Sequence, residues 1–146
     1  MKWVTRAHVH VDRVACPWLI SRFIDSDAEF LFVAPTMVIN TAEKMDAIPF
    51  DAEGAELGHR DGHCSFVTII EKYGLKDPVL HKIADIVNAA DTGRLDENPY
   101  APGLEAIASG FSVMIPNDYE NLENQFLVYD ALYAFLKLQL AKEKAK

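Results

Sequence analysis

Apolar and polar residues alternate along positions 3–11, and this period of two predicts a half-buried β-strand. The polar face of that predicted strand consists of Arg6, His8, His10 and Asp12. Two further short segments, at 29–33 and 48–51, are mainly apolar. They predict a short buried strand and a short edge strand. The second run contains a proline, which a sheet tolerates at its edge. The first half of the chain therefore predicts two or three strands.

The second half shows helical spacing of apolar residues, divided into predicted helices at 65–73, 78–91, 102–115 and 118–146. Gly74 is the expected C-terminal cap of the first, while Asp77 and Pro78 are the expected N-cap and first position of the second. An earlier helix is predicted with Pro17 at its first position. Residues 13–15 form either a separate turn or an earlier turn of this helix. The predicted class is α+β, with a small N-terminal sheet packed on a predominantly helical layer.

Length and composition indicate one soluble domain spanning residues 1–146, with half of its residues hydrophobic. No apolar run reaches the roughly 18 residues that span a bilayer, so no membrane association is expected. The first residues lack the apolar stretch of a secretory signal, which makes the cytoplasm the expected compartment. The two cysteines, Cys16 and Cys64, form no disulfide framework and are expected to be free thiols.

The formal net charge of −8 narrows the choice of partners. Binding of duplex DNA needs a clustered basic face, and the only positive cluster is Lys137, Lys142, Lys144 and Lys146. Nucleic-acid binding by this chain alone is therefore not expected. Phosphate-binding loops, dinucleotide fingerprints and nucleophile elbows are also missing. A small ion or oxyanion is the expected partner, and the oligomeric state stays open.

Two segments rich in metal-ligand residue types predict a metal site. His10 and Asp12 from the first strand are predicted to converge with Glu56 and His59 from the polar loop at 54–62 on one divalent ion. Mixed nitrogen and oxygen ligands suit zinc, iron, manganese or nickel. The alternative is a solvated strand face beside a polar surface loop. Weaker candidate ligands are His8, His63, Cys64 and Asp91.

An oxyanion site is predicted beside the first strand. Arg6, Arg13 and Arg22 are expected to cluster there, and a helix N-terminus at Pro17 would add free N–H groups. Asp130 lies among apolar residues of the last helix, so burial would require a partner. We expect one of these three arginines to pair with it.

Cys16 has two interpretations. A thiol at a helix N-terminus is expected to have a lowered pKa and to be reactive, and Arg13 would add to this effect. The alternative, which we favour, is a small side chain packed where the strand turns into the helix.

Longer runs of sequence resemble a known family. The stretch Val11-Asp12-Arg13-Val14-Ala15-Cys16-Pro17-Trp18-Leu19-Ile20 is similar to the chromate-resistance proteins of the ChrB type. Shorter matches are Trp3-Val4-Thr5-Arg6, Pro49-Phe50-Asp51, Gly54-Ala55-Glu56-Leu57-Gly58-His59, Cys64-Ser65-Phe66 and Ala90-Asp91. Longer family members carry an additional N-terminal region and are described as chromate-responsive regulators that act with an efflux transporter. The resemblance here covers their C-terminal chromate-resistance domain.

The residues and the resemblance together support three hypotheses. The first is a cytoplasmic chromate-resistance or stress-response domain that binds a divalent metal and an oxyanion such as chromate. The second is a metal-dependent or thiol-based oxidoreductase, and the third is a protein-interaction module without a ligand.

Overall fold

Three short strands form one parallel sheet. The structure is a computed structural model, and it describes residues 1–145. The strands are β1 (Lys2–Arg6), β2 (Glu29–Val33) and β3 (Ala47–Pro49), arranged in the order β2-β1-β3. Val4 of the central strand lies opposite Leu31 on one side and Pro49 on the other. The α+β class is confirmed, and the proline-containing strand lies at an edge, as predicted.

Six α-helices accompany the sheet within the described residues. They are α1 (Val11–Phe23), α2 (Val38–Met45), α3 (Ser65–Lys72), α4 (Pro78–Asp91), α5 (Ala101–Met114) and α6 (Asp118–Lys144). None of these helices combines the length and the apolarity needed to cross a membrane. The last four helices match the predicted ones to within two residues. Lys146, the end of the predicted last helix and of the predicted basic cluster, lies outside the described residues.

Local capping explains why the later helices were predictable. Gly74 has a φ of +60°, the left-handed conformation in which glycine commonly follows a helix. The Asp77 carboxylate accepts a hydrogen bond from the Val79 backbone N–H at 2.9 Å, which confirms its N-cap role. Each of these signals acts within a few residues of sequence.

The first strand is shorter than the alternation predicts. It ends at Arg6, and His8 takes a left-handed φ of +66°. The Asp118 carboxylate accepts the backbone N–H groups of His8 and Val9 at 3.0 and 2.9 Å, which fixes the turn from more than a hundred residues away. The predicted row of Arg6, His8, His10 and Asp12 on one strand is therefore wrong.

Helix α1 begins earlier than expected and lies at the centre of the molecule. Residues 13–15 belong to it, and Pro17 is its seventh residue rather than its first. Nearly every side chain from Val11 to Ile20 is buried, on all sides of the helix. Such all-round burial requires that other elements enclose the helix, and α3, α4 and α6 do so.

Helix α2 has no counterpart among the predicted elements. Its Val38 and Ala42 pack on Val4 and Ala47 and form a small second core on the outer face of the sheet. Both faces of β1 are consequently covered, as is usual for parallel sheets, and the strand is not half-buried.

Asp130 of α6 joins the last helix to α1. Its carboxylate accepts the indole N–H of the buried Trp18 at 2.8 Å and contacts the Arg22 guanidinium at 3.0 Å. The Arg22 hydrogen bond, with a smaller contribution from Trp18, lowers the pKa of Asp130. The expected arginine–Asp130 pair is confirmed, with Arg22 as the partner.

Replacing Asp130 distinguishes its two contacts. Asp130→Ala leaves the buried Trp18 N–H without its acceptor, and we expect a loss of about 1–3 kcal/mol in the free energy of unfolding. Asp130→Asn keeps an acceptor oxygen and loses only a half-exposed ion pair, so its loss should stay below about 1 kcal/mol. Because the pKa of Asp130 is lowered, the ion-pair contribution is present above the ordinary carboxyl pKa of 3.8 and fades as the pH falls below it. Urea unfolding at several pH values tests this, and equal losses in both variants at pH 7 would contradict the assignment.

Candidate functional site

Asp12 forms the floor of the site, in the first turn of α1. Its carboxylate is buried and accepts the backbone N–H groups of Ser65 and Phe66, at 2.8 and 3.2 Å, from the first turn of α3. The Cys16 thiol donates to it at 3.3 Å. Burial nevertheless raises the pKa of Asp12 well above its usual range, with smaller contributions from the charges of Asp51 and Asp91. A buried carboxylate of this kind favours a nearby positive charge.

Asp51 supplies the second carboxylate, directly beyond the carboxyl end of β3. Its backbone has a left-handed φ of +46°, and its side chain is almost fully buried. Arg6 donates to its backbone oxygen at 2.8 Å and to its carboxylate at 3.2 Å, and Arg13 lies 3.5 Å from the same carboxylate oxygen. Ser65 donates its hydroxyl to the other oxygen at 2.8 Å. The charge of Asp51 is therefore matched by two guanidinium groups.

His59, from the polar loop at 54–62, forms the solvent-facing side of the site. Its Nε2 lies 3.1 Å from Asp91, 3.3 Å from Asp51 and 3.6 Å from Asp12, measured to carboxylate oxygens. The imidazole is about half exposed, so one edge of the cluster faces solvent. One ring nitrogen carries at most one proton and cannot satisfy three carboxylates by hydrogen bonding.

Asp91, the last residue of α4, completes the cluster. Burial and the neighbouring charge of Asp51 raise its pKa, while His59 and Arg13 partly oppose that rise. The ligand atoms of Asp12, His59 and Asp91 all lie within 4.8 Å of one another. The carboxylates of Asp12 and Asp91 thus meet at one imidazole. Among the described side chains, the nearby cations are Arg6 and Arg13, and both contact Asp51.

A cavity of about 480 Å³ leads to this cluster from outside. Arg6, Asp51 and His59 line it, together with the loop residues Gly54 and Gly58. A small ion or a small polar molecule has room to reach the imidazole by this route.

Two of the four predicted metal ligands lie together and two do not. Asp12 and His59 meet in the cluster, whereas His10 lies 3.5 Å from Glu105 of α5. Glu56 is exposed and pairs with Lys72 at 2.8 Å, a contact that lowers its pKa. The early end of β1 explains the difference for His10, because a helix start does not preserve the alternation of a strand.

The weaker candidates divide in the same way. Asp91 lies in the cluster, while His8 and His63 are exposed and form no part of it. Cys64 is fully buried as the N-cap residue of α3, and its backbone N–H donates to the Asn88 side chain at 2.8 Å. Asp51 is not among the predicted ligands, although it is the polar last residue of the predicted edge strand, and ligands often bind beyond the carboxyl ends of parallel strands.

The predicted arginine cluster is only partly present. Arg6 and Arg13 share Asp51, but Arg22 pairs with Asp130 on α6. No helix N-terminus exists at Pro17, since α1 begins at Val11. The predicted oxyanion site of three arginines and a helix end is wrong in this form, because the helix start was placed six residues too late.

The Cys16 thiol is fully buried beneath the site. Burial raises its pKa well above the ordinary value, and the charges of Asp12 and Asp51 add to the effect. The Cys64 thiol is likewise buried and its pKa is raised. A lowered pKa from a helix N-terminus is not found, because Cys16 lies inside α1.

Fold and site together define a small α+β domain with an acidic pocket centred on a histidine. The sequence profile of the family described as ChrB, C-terminal domain, matches residues 3–136, and the chain belongs to this family. It is 36% identical over 133 residues to the protein named Protein ChrB of Cupriavidus metallidurans. That match covers 90% of this chain and 40% of the relative, so the chain spans less than half of the relative's length. No solved structure matches the chain.

Burial of both thiols predicts slow chemical labelling. In the folded protein, Cys16 and Cys64 should react with a thiol reagent at least about 100-fold more slowly than in denaturant, because reaction requires local opening. Time-resolved labelling read by mass spectrometry gives the rate for each cysteine. Rapid labelling of Cys16 in the native state would contradict this and support a thiol-based oxidoreductase.

Proposed function

We propose that this chain is a chromate-resistance domain that binds a divalent metal ion through Asp12, His59 and Asp91. The family membership supports the chromate-resistance role. The single observation that supports the metal is the meeting of three carboxylates around one imidazole nitrogen, at 3.1–3.6 Å. We further propose that residues 1–146 act as one domain, in the cytoplasm.

Distances in the cluster agree with a shared ion. Nitrogen and oxygen ligands bind zinc at about 2.0–2.2 Å, which places neighbouring ligands of a tetrahedral ion roughly 3.3 Å apart. The separations of His59 from Asp91 and Asp12 are 3.1 and 3.6 Å. The third pair, Asp12 and Asp91, lies within 4.8 Å, so the ligand atoms need to close by no more than about 1.5 Å to coordinate one ion.

Charge gives an independent argument. Arg6 and Arg13 both contact Asp51, which leaves the carboxylates of Asp12 and Asp91 facing His59. A divalent cation bound to a neutral His59 imidazole would neutralise both carboxylates. A protonated imidazole alone supplies only one positive charge. Buried carboxylates are usually paired or bound to a metal. The donor set suits zinc, iron, manganese or nickel.

Metal content tests the proposal directly. Protein purified without a histidine tag should hold one divalent ion per chain, and His59→Ala and Asp91→Asn should each abolish it. His10→Ala and Glu56→Ala are matched controls, since both residues carry ligand groups outside the cluster and should retain the ion. Elemental analysis and calorimetric titration with zinc, manganese, nickel and iron(II) provide the measurements. Parent protein that neither contains nor takes up metal would refute the site.

An oxyanion is the second candidate ligand. Arg6 lies at the wall of the cavity beside His59, about one third exposed, and offers a positive group to a tetrahedral anion. The overall charge of the chain repels anions, so such a site must act locally. A bound cation next to Arg6 would strengthen it.

Anion binding is tested by thermal unfolding of metal-loaded protein with sulfate or chromate. We expect the anion to raise the Tm of the parent protein, and we expect Arg6→Gln to remove this rise. Arg22→Gln should retain the rise, because Arg22 pairs with Asp130 of α6 and lies outside the cavity. Each variant is compared with itself without anion, so any loss of intrinsic stability cancels. An equal rise in all three proteins would show general salt stabilisation and exclude Arg6 as a ligand.

A further inference from the structure

Helix α6 presents an apolar stripe on the side that faces away from the core. Core-facing residues such as Leu122, Tyr129 and Leu136 are buried. On the opposite side, Leu127 is 71% exposed and Leu138 is 55% exposed. The stripe consists of exposed apolar residues whose separation along the chain alternates between four and three. Its members are Leu127, Ala131, Ala134, Leu138 and Ala141.

This alternation is the spacing at which two helices pack along a common seam. From residue 127 to residue 141 every seam position is apolar, and none is covered by another part of the described chain. Contiguous exposed apolar surface of this kind is found at protein–protein contacts. The alanines allow a close approach of two helices at the centre of the stripe.

Four of the five members of the stripe are symmetric about a point between residues 132 and 133, while Ala141 has the polar Asn124 as its counterpart. In an antiparallel arrangement centred there, Leu127 of one chain lies opposite Leu138 of a second copy, and Ala131 lies opposite Ala134. A two-fold axis requires such self-complementarity, because each contact must occur twice. An unrelated partner imposes no symmetry of this kind.

Charges on one flank of the stripe also suit an antiparallel pairing. On that flank, Glu123 precedes the centre of the stripe and Lys144 follows it. Antiparallel pairing places Glu123 next to Lys144 of the second copy, whereas Asp130 on the same flank is already held by Trp18 and Arg22 of its own chain. Parallel pairing would bring Lys137 beside Lys142 and leave Glu123 against an apolar residue. Opposed helix dipoles also favour the antiparallel orientation.

We propose that two copies of this chain form a homodimer through an antiparallel pairing of their α6 helices, with Leu127 against Leu138 and Glu123 against Lys144. The interface lies on the outer side of α6. Asp12, His59 and Asp91 belong to α1, the 54–62 loop and α4, so the dimer is independent of the metal site.

Sedimentation equilibrium and light scattering on the full chain test the dimer. The expected mass is twice the 16.3 kDa of the chain. Leu127→Glu should raise the dissociation constant at least about 100-fold, because the substituted contact occurs twice in a two-fold dimer. Met45→Glu is the matched control, since Met45 is an exposed apolar residue of α2 and should leave the dimer intact. Circular dichroism checks that both variants fold.

Charge reversal tests the orientation. Glu123→Lys and Lys144→Glu should each weaken the dimer about fivefold or more, and the double variant should restore the parent affinity to within about twofold. Glu143→Lys is the control on the same helix, outside the proposed seam. A chain that stays monomeric at about 100 μM, or a dimer unaffected by Leu127→Glu, overturns the interface. Failure of the double variant to restore binding overturns the antiparallel register.

Discussion

The buried carboxylate of Asp12 is the interaction on which the rest of the structure depends. It lies in the first turn of the central helix and accepts two of the free N–H groups at the start of α3. A buried charge is costly unless it is hydrogen-bonded and paired, so α1 and α3 must keep this relative position. The same carboxylate faces His59, which makes the packing of the core and the geometry of the site one arrangement.

The site consequently has a rigid inner wall and an open outer wall. Asp12 and Asp51 are buried and held by backbone N–H groups, a serine hydroxyl and two arginines. His59 comes from a glycine-containing loop and is half exposed beside a cavity. Buried carboxylates thus lie below an imidazole that is accessible from solvent.

Elements with local signals were predictable, and elements defined by distant contacts were not. Gly74, Asp77 and Pro78 mark helix ends through interactions within a few residues, and the helices of the second half were found to within two residues. The alternation at 3–11 continued past the true end of β1, because Asp118 imposes a turn at His8 and Val9. The same error moved His10 into the predicted metal site and placed the start of α1 too late.

The sequence by itself determined the family, the α+β class and the later helices. It also selected two of the three proposed ligands, Asp12 and His59, and named Asp91 as a weaker candidate. Only the tertiary structure decided that Asp91 and Asp51 join them, and that His10 and Glu56 bind other partners. Residue types and spacing show which groups are able to bind a metal. Their meeting depends on how α1, α4 and the loop at 54–62 pack, and that packing is set by contacts between residues dozens of positions apart.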